Sequence, residues 1–283
     1  MPELPEVETI KRDIEKSLIG HKIEDVWWDW AKSLKPNPES FKKAVLGRKF
    51  TAIDRRAKLL IFKLNGSPFI THLKLSGRLL YRNQTDPTDK FTHVILKLDK
   101  GKELRFADLR KFGWMRVLKD EGELDEVLSE FGIEPFTSDF TLESFKKILN
   151  SKKTAIKPIL MDQSMIAGVG NIYADESLWC AKTHPLRPAN SLSSEEIKRL
   201  FDCVQQSLKE GIKDRGTSVD MYLDLFGEKG EHEPNLQVFR KNGKPCPRCG
   251  TTIKKIRVGG RGTHFCPNCQ IKPISGQQAK PPI

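Results

Sequence analysis

The 283-residue chain reads as an α+β protein of several domains. An opening helix precedes an N-terminal antiparallel β-sandwich, a helical middle follows, and a cysteine-bearing β-hairpin lies near the C-terminus. Three observations predict this. Short apolar runs separated by turn residues fill about Lys22 to Leu118. Apolar residues recur at helical spacing between 141 and 213. Two Cys-x-x-Cys pairs, Cys246 with Cys249 and Cys266 with Cys269, flank an insert that suits a hairpin.

The opening helix is marked by Pro5 in its first turn, by Glu6 and Glu8 near its N-terminus, and by Val7, Ile10, Ile14 and Leu18 on one face. In the β region, Lys58–Leu64 runs into Asn65-Gly66 and then Pro68–Leu73, a hairpin signal. Thr92–Leu98, Leu104–Phe106 and Met115–Leu118 read as further strands. The character changes near Glu134-Pro135. Ser193 with Glu196 forms a capping box ahead of an apolar face made by Ile197, Leu200, Phe201, Val204, Leu208 and Ile212. These breaks predict domains at 1–133, 134–237 and 238–274, with a frayed tail at 275–283. Within the second, the polar stretch from Gly216 to Asn235 carries Asp220, Asp224, Glu228, Glu231 and Glu233 and reads as a mobile loop.

Lys and Arg number 49 against 37 Asp and Glu, a formal net charge of +12. That excess favours a polyanionic partner, nucleic acid before an anionic membrane. With 37% apolar residues the chain can bury a sizeable core. It has no apolar run of membrane-spanning length and no secretion-signal pattern, so the expectation is a protein of the cytoplasm that does not engage a membrane.

Cys249 and Cys266 are separated by 16 residues, and the insert carries Ile253, Ile256 and Val258 before a glycine-rich tip around Arg261. This spacing predicts one structural zinc held by Cys246, Cys249, Cys266 and Cys269. The competing reading, two disulfides or free thiols, is disfavoured because intracellular chains avoid disulfides. His264 adjoins this set but is read as a surface or phosphate-facing residue, since four sulfurs complete a tetrahedron. Cys180 and Cys203 fall in helices and are read as buried packing residues.

The chain starts Met1-Pro2-Glu3. Removal of Met1 would expose Pro2 as a secondary amine, a nucleophile towards an aldehyde-like carbon. Its iminium adduct has no proton to lose on nitrogen, stays cationic and promotes elimination at the neighbouring carbon. Asn171, after Gly168-Val169-Gly170, sits where turn glycines and a helix N-terminus make an anion site; the alternative is a plain N-cap, and both roles can hold at once.

The pattern as a whole resembles formamidopyrimidine-DNA glycosylase, the bacterial family that removes oxidised purines. The resemblance covers nearly the entire chain. It runs through the start at Pro2–Thr9, the segment from Lys58, His72–Leu79, Asp108–Gly113, Asp162-Gln163, Ile166–Glu176 and Gly260–Gln270. It implies a helix-two-turn-helix in the central domain, a monomer acting on damaged double-stranded DNA in the bacterial cytoplasm or nucleoid, and β,δ-elimination after base removal. Pro2 resembles the nucleophile, Glu3 the acid that opens the sugar ring, Lys58 the catalytic-site lysine on a flanking phosphate, and Arg261 and Asn171 the phosphate clamps. His72 and Lys157 match DNA-contacting positions. Arg110 and Phe112 match void-filling residues, and Phe112 could otherwise be core. The third wedge position, usually methionine, is Leu75 here. The 216–237 segment corresponds to the lesion-capping loop, and its acidity puts the lesion preference in question. Two rival readings stand beside this one. The sister enzyme endonuclease VIII usually has glycine where this chain has Leu4, and a damage-binding protein without catalysis would retain Met1.

Overall fold

The computed structural model describes residues 1–272. The expected frayed tail and the last two residues of the expected 238–274 segment lie outside the described residues. The elements are α1 (Leu4–Leu18), β1 (Ile23–Trp28), β2 (Leu34–Lys35), α2 (Pro38–Val45), β3 (Phe50–Arg56), β4 (Leu59–Leu64), β5 (Gly66–His72), β6 (Gly77–Asn83), β7 (Thr92–Leu98), β8 (Lys102–Asp108) and β9 (Trp114–Val117). They continue with α3 (Glu121–Ser129), α4 (Leu142–Asn150), α5 (Ile156–Met161), α6 (Asn171–Cys180), α7 (Ser194–Lys213), β10 (Lys254–Val258) and β11 (Arg261–Phe265). The chain divides into two compact units: residues 1–130 with 210–234, and residues 131–209 with those from 235 onward.

The first unit is the expected sandwich. One sheet has the order β1-β7-β8-β6 and the other β2-β9-β5-β4-β3. Its core takes Val94, Leu96, Leu104 and Phe106 from the first sheet and Phe50, Phe62, Phe69 and Met115 from the second. Val7, Ile10, Ile14 and Leu18 of α1 complete it, as their spacing predicts. Phe62 and Phe69 stack at 4.4 Å across the β4–β5 pair. Two differences from the sequence reading follow from local chemistry. Lys58 does not head a strand but lies in the β3–β4 turn, after Ala57 at φ 53°. Helix α2 was not expected; Asn37 caps it by accepting the Ser40 N–H, and Pro38 opens it.

The acidic segment is the larger correction. It is packed against the sandwich rather than loose. Tyr222 and Leu225 join the sandwich core, and Thr217 pairs with Glu231 in an isolated bridge. The Tyr81 N–H donates to Leu225 O, and the Gly230 N–H donates to Ser218 Oγ. Arg215 donates to Asp13 of α1 at 2.7 Å and to Asp224 at 2.5 Å. Asp224 is 3% exposed and also accepts the Phe226 and Glu228 N–H groups. One of the five acids is thus an internal strut, not a surface charge facing DNA.

In the second unit, Ser193 and Glu196 make the expected reciprocal cap of α7, and Phe140 stacks on Phe201 at 5.0 Å. Cys180 at the end of α6 and Cys203 in α7 do more than pack: they form a disulfide, with Cα atoms 5.8 Å apart. No described helix is long and apolar enough to cross a membrane. A cross-link closing a loop of this size stabilises by about 3 kcal/mol. We expect Cys203→Ser to lower the urea-unfolding free energy by roughly that amount, and reduction of the parent to bring its midpoint towards that of the variant. Coincident midpoints for oxidised and reduced parent would contradict the cross-link's role.

Candidate nucleic-acid interface and metal centre

At the N-terminus, Pro2, Glu3 and Glu6 are buried, Glu3 at 2% and Glu6 at 1% exposure. One Glu6 oxygen accepts the Glu3 N–H at 2.7 Å and the other accepts the Thr217 N–H at 2.8 Å. A single carboxylate therefore fixes both the start of α1 and the root of the acidic segment. The Met1 amino group lies 4.0 Å from Asp220.

Lys58, 5% exposed, precedes Leu59, which pairs with His72 across β4 and β5. The His72 Nδ1 accepts the Lys74 N–H at 2.9 Å, which leaves the ring proton on Nε2. Burial, helped by the Lys74 and Lys58 charges, lowers the imidazole pKa to about 3. His72 is thus a neutral N–H donor beside two ammonium groups, not a third cation.

Leu75 is half-buried in the β5–β6 turn, and Arg110 and Phe112 lie on the β8–β9 loop. Phe112 is 58% exposed, which rules out the core reading. The Arg110 guanidinium sits 5.8 Å from its ring.

In the second unit, Asn171 is the first residue of α6 and Gly170 is the N-cap, so Asn171 does not cap its own helix. Its Oδ1 is buried and has no hydrogen-bond partner among the described residues. Gln163 organises the preceding turn: its amide donates to Met161 O and Val169 O, and its Oε1 accepts the Gly168 N–H. Arg261 is exposed at the start of β11, which pairs with β10.

Lys157 and His264 depart from expectation. Lys157 is 1% exposed, and its ammonium lies 2.6 Å from Asp175 and donates to Gly262 O and Thr263 Oγ1. It therefore anchors the hairpin beneath Arg261 rather than reaching out to a phosphate. His264 is 4% exposed and donates its backbone N–H and Nδ1–H to the other Asp175 oxygen, so it is not a surface residue. The sequence reading quoted Asp175, Glu176, Gln163 and Asp108 inside its motifs but assigned them no task. Asp108 alone carries a local signal, a carboxylate between Ala107 and Leu109 that must be satisfied internally if buried.

The four sulfurs of Cys246, Cys249, Cys266 and Cys269 lie within 4.8 Å of one another, with separations of 3.4, 3.4 and 4.0 Å. Zinc with sulfurs at roughly 2.3 Å sets tetrahedral edges of roughly 3.8 Å, so the set fits one structural ion with no open position. The Trp179 indole N–H donates to Cys246 Sγ at 3.4 Å, and Arg248 lies over the Trp179 ring at 3.9 Å. These contacts seat the metal unit on α6.

His72 gives a pH test. A base whose pKa is depressed on folding contributes stability that is complete above about 6.5 and is lost as pH falls towards about 3. The stability difference between the parent and His72→Gln, read by urea unfolding, should therefore shift against the parent between pH 7 and pH 4. A constant difference would mean that His72 is not held neutral.

Matches to known proteins follow the same segments. The Formamidopyrimidine-DNA glycosylase N-terminal domain family matches residues 1–115, the Formamidopyrimidine-DNA glycosylase H2TH domain 131–222, and the zinc finger found in FPG and IleRS 243–271. The formamidopyrimidine-DNA glycosylase of Herpetosiphon aurantiacus is 45% identical over 95% of this chain and 100% of its own length. That of Protochlamydia amoebophila is 43% identical over 96% and 100%. Among solved structures, a Lactococcus lactis FPG variant in complex with a Fapy-dG containing DNA matches with TM-score 0.91 at 38% identity, covering 96% of this chain and 100% of that one. The Lactococcus lactis protein with an abasic site containing DNA matches with TM-score 0.90 at 38% identity, covering 95% and 100%. With identity at this level spanning all three segments, the chain belongs to the formamidopyrimidine-DNA glycosylase family.

Proposed function

We propose that this chain excises oxidised purines from duplex DNA and then nicks the strand by β,δ-elimination. The observation that carries the reading is full-length kinship to proteins solved on Fapy-dG and abasic-site DNA, joined to a proline at position 2 beside a buried Glu3. Once Met1 is removed, the Pro2 nitrogen bonds to the sugar C1′ as the damaged base departs. Glu3 protonates the ring oxygen and opens the sugar; the cationic iminium acidifies the C2′–H, whose loss to solvent expels the 3′-phosphate, and a second proton lost from C4′ expels the 5′-phosphate. Lys58 and the neutral His72 N–H face the phosphates flanking the lesion; Asn171 and Arg261 clamp them. Arg110 reads the opposite cytosine, and Phe112 with Leu75 fills the space vacated by the rotated nucleotide. The zinc, when bound, supplies no reactivity; its cysteines hold the hairpin that presents Arg261.

The net charge of +12 supports a phosphate-dominated grip, and the family resemblance is what suggests a monomer in the bacterial cytoplasm. The inward-facing Asp224 weakens the objection that the acidic segment repels DNA.

Borohydride added during turnover on an 8-oxoguanine duplex should trap a covalent protein–DNA adduct. Pro2→Gly should cut trapping and nicking by about a hundredfold or more while binding to a duplex with a stable abasic analogue changes little. A parent of correct intact mass without Met1 that traps nothing on oxidised-purine, oxidised-pyrimidine or abasic duplexes would leave only the damage-binding alternative. Preferential excision of oxidised pyrimidines would favour the endonuclease VIII alternative.

A further inference from the structure

We propose that Asp108 is the positioning residue that holds Leu75, Arg110 and Phe112 in register for insertion into the duplex. The inference rests on the void-filling reading of those three side chains and deepens it.

Asp108 ends β8 and is 1% exposed. Its Oδ1 accepts the Ser76 hydroxyl at 2.5 Å and the Arg110 N–H at 3.1 Å. Its Oδ2 accepts the Phe112 N–H at 2.9 Å and the Gly113 N–H at 2.7 Å. The Ser76 oxygen, in turn, accepts the Arg110 N–H at 3.0 Å. One carboxylate thus binds the backbone of both β8–β9 wedge residues and the neighbour of the third, Leu75. The two loops meet because Gly77 and Asp108 are partners in the β6–β8 register.

The geometry is demanding. A Cβ at Gly113 would lie 2.6 Å from Phe106 and 3.1 Å from both Asp108 Oδ2 and His72 O, so only glycine brings that N–H to the carboxylate. Each loop also carries a lysine in the left-handed region, Lys74 at φ 52° and Lys111 at φ 57°, a conformation that persists only when the surroundings impose it. Lys111 lies 4.6 Å over the Trp30 ring, a second brace on the same loop. Beneath, Asp108 and Ser76 are buried and hydrogen-bonded; above, Arg110 and Phe112 are exposed. A wedge that must unstack bases gains from being ordered beforehand, because freedom lost on insertion weakens binding. Charge-assisted bonds to backbone N–H groups are the strong form of such ordering.

The test is Asp108→Asn, which keeps shape but turns an acceptor into an N–H donor facing N–H groups. Three readouts are compared: excision of 8-oxoguanine opposite C and opposite A, the stopped-flow change of 2-aminopurine beside the lesion, and borohydride trapping at an abasic site in single-stranded DNA, which has no orphan base to hold. We expect duplex kcat/KM to fall about a hundredfold, preference for C over A to be lost and the 2-aminopurine change to slow. Single-stranded trapping should stay within about twofold of the parent. Equal loss on both substrates would reduce Asp108 to general support of the fold, and no loss on either would remove it from the reaction; both overturn the proposal. Phe112→Ala and Arg110→Ala separate the two layers of argument. If they leave the duplex step intact, the void-filling reading fails; if they impair it and Asp108→Asn does not, the positioning inference fails. Should Asp108→Asn not fold, Ser76→Ala, which cuts only the link to the Leu75 loop, decides in the same assays: a smaller loss confined to the duplex sustains the proposal, and parental kinetics overturn it.

Discussion

Buried carboxylates that accept backbone N–H groups are the constraint on which this structure depends. Loops that carry the exposed working side chains are tied from below by an acid that water scarcely reaches. Asp108 holds the wedge loops. Glu6 joins the start of α1 to Thr217. Asp175 takes the His264 N–H and the Lys157 ammonium under the hairpin. Glu176, 6% exposed, accepts the Gln237, Val238 and Phe239 N–H groups. Burial pushes the Glu176 carboxyl up while its three N–H donors oppose the shift. Taking a charge out of water is expensive unless it is fully bonded, so each such acid is committed to one backbone geometry. Removing it would strand several donors at once, each costing about 1–3 kcal/mol.

That arrangement explains how short loops without regular structure can present side chains accurately. A turn such as Asp108–Gly113 buries little apolar surface and would fray if left to its own bonds. With a buried acceptor at its centre, order comes from polar bonds below, and the upper side is free to carry Arg110 and Phe112. The same division holds at the hairpin, where zinc and Lys157 set the backbone and Arg261 remains exposed. Sandwich and helices supply the rigid platform; the acids transfer that rigidity to the exposed loops.

The sequence made the local periodicities legible, and with them most of the architecture. Thr92–Leu98 is a strand with the expected bounds, Ser193 and Glu196 cap α7 as their spacing requires, and the two Cys-x-x-Cys pairs converge. Each of these signals is complete within a few residues. What stayed illegible depends on partners far along the chain. Lys157 read as a DNA-contacting residue and His264 as a surface or phosphate-facing one, because nothing near them announces Asp175 as their common partner. The acidic segment read as mobile because it is a polar stretch carrying five acids, yet Tyr222 and Leu225 reach the sandwich core and Arg215 pairs with Asp224. Cys180 and Cys203 needed a Cα separation of 5.8 Å, which no spacing rule supplies. Phe112 was ambiguous for the opposite reason: an exposed aromatic and a buried one look alike until burial is known.

Charge and hydrogen bonding are also separated within the first unit. A buried histidine flanked by Lys74 and Lys58 does not take up a second ring proton at neutral pH, so it adds no charge to the cluster. This matters for an anion that must be released after reaction. A third cation would tighten the grip on every phosphate equally and steepen its dependence on salt. A neutral Nε2–H instead rewards only a phosphate oxygen placed in line with it, because a hydrogen bond weakens steeply with misalignment while Coulomb attraction does not. Under the proposed function, Lys58 supplies affinity and His72 supplies direction. The Lys74 N–H that fixes the His72 tautomer belongs to the same turn that carries Leu75. The register of the loop that carries Leu75 and the tautomer of His72 are therefore set by one stretch of backbone, and a change in one cannot leave the other untouched.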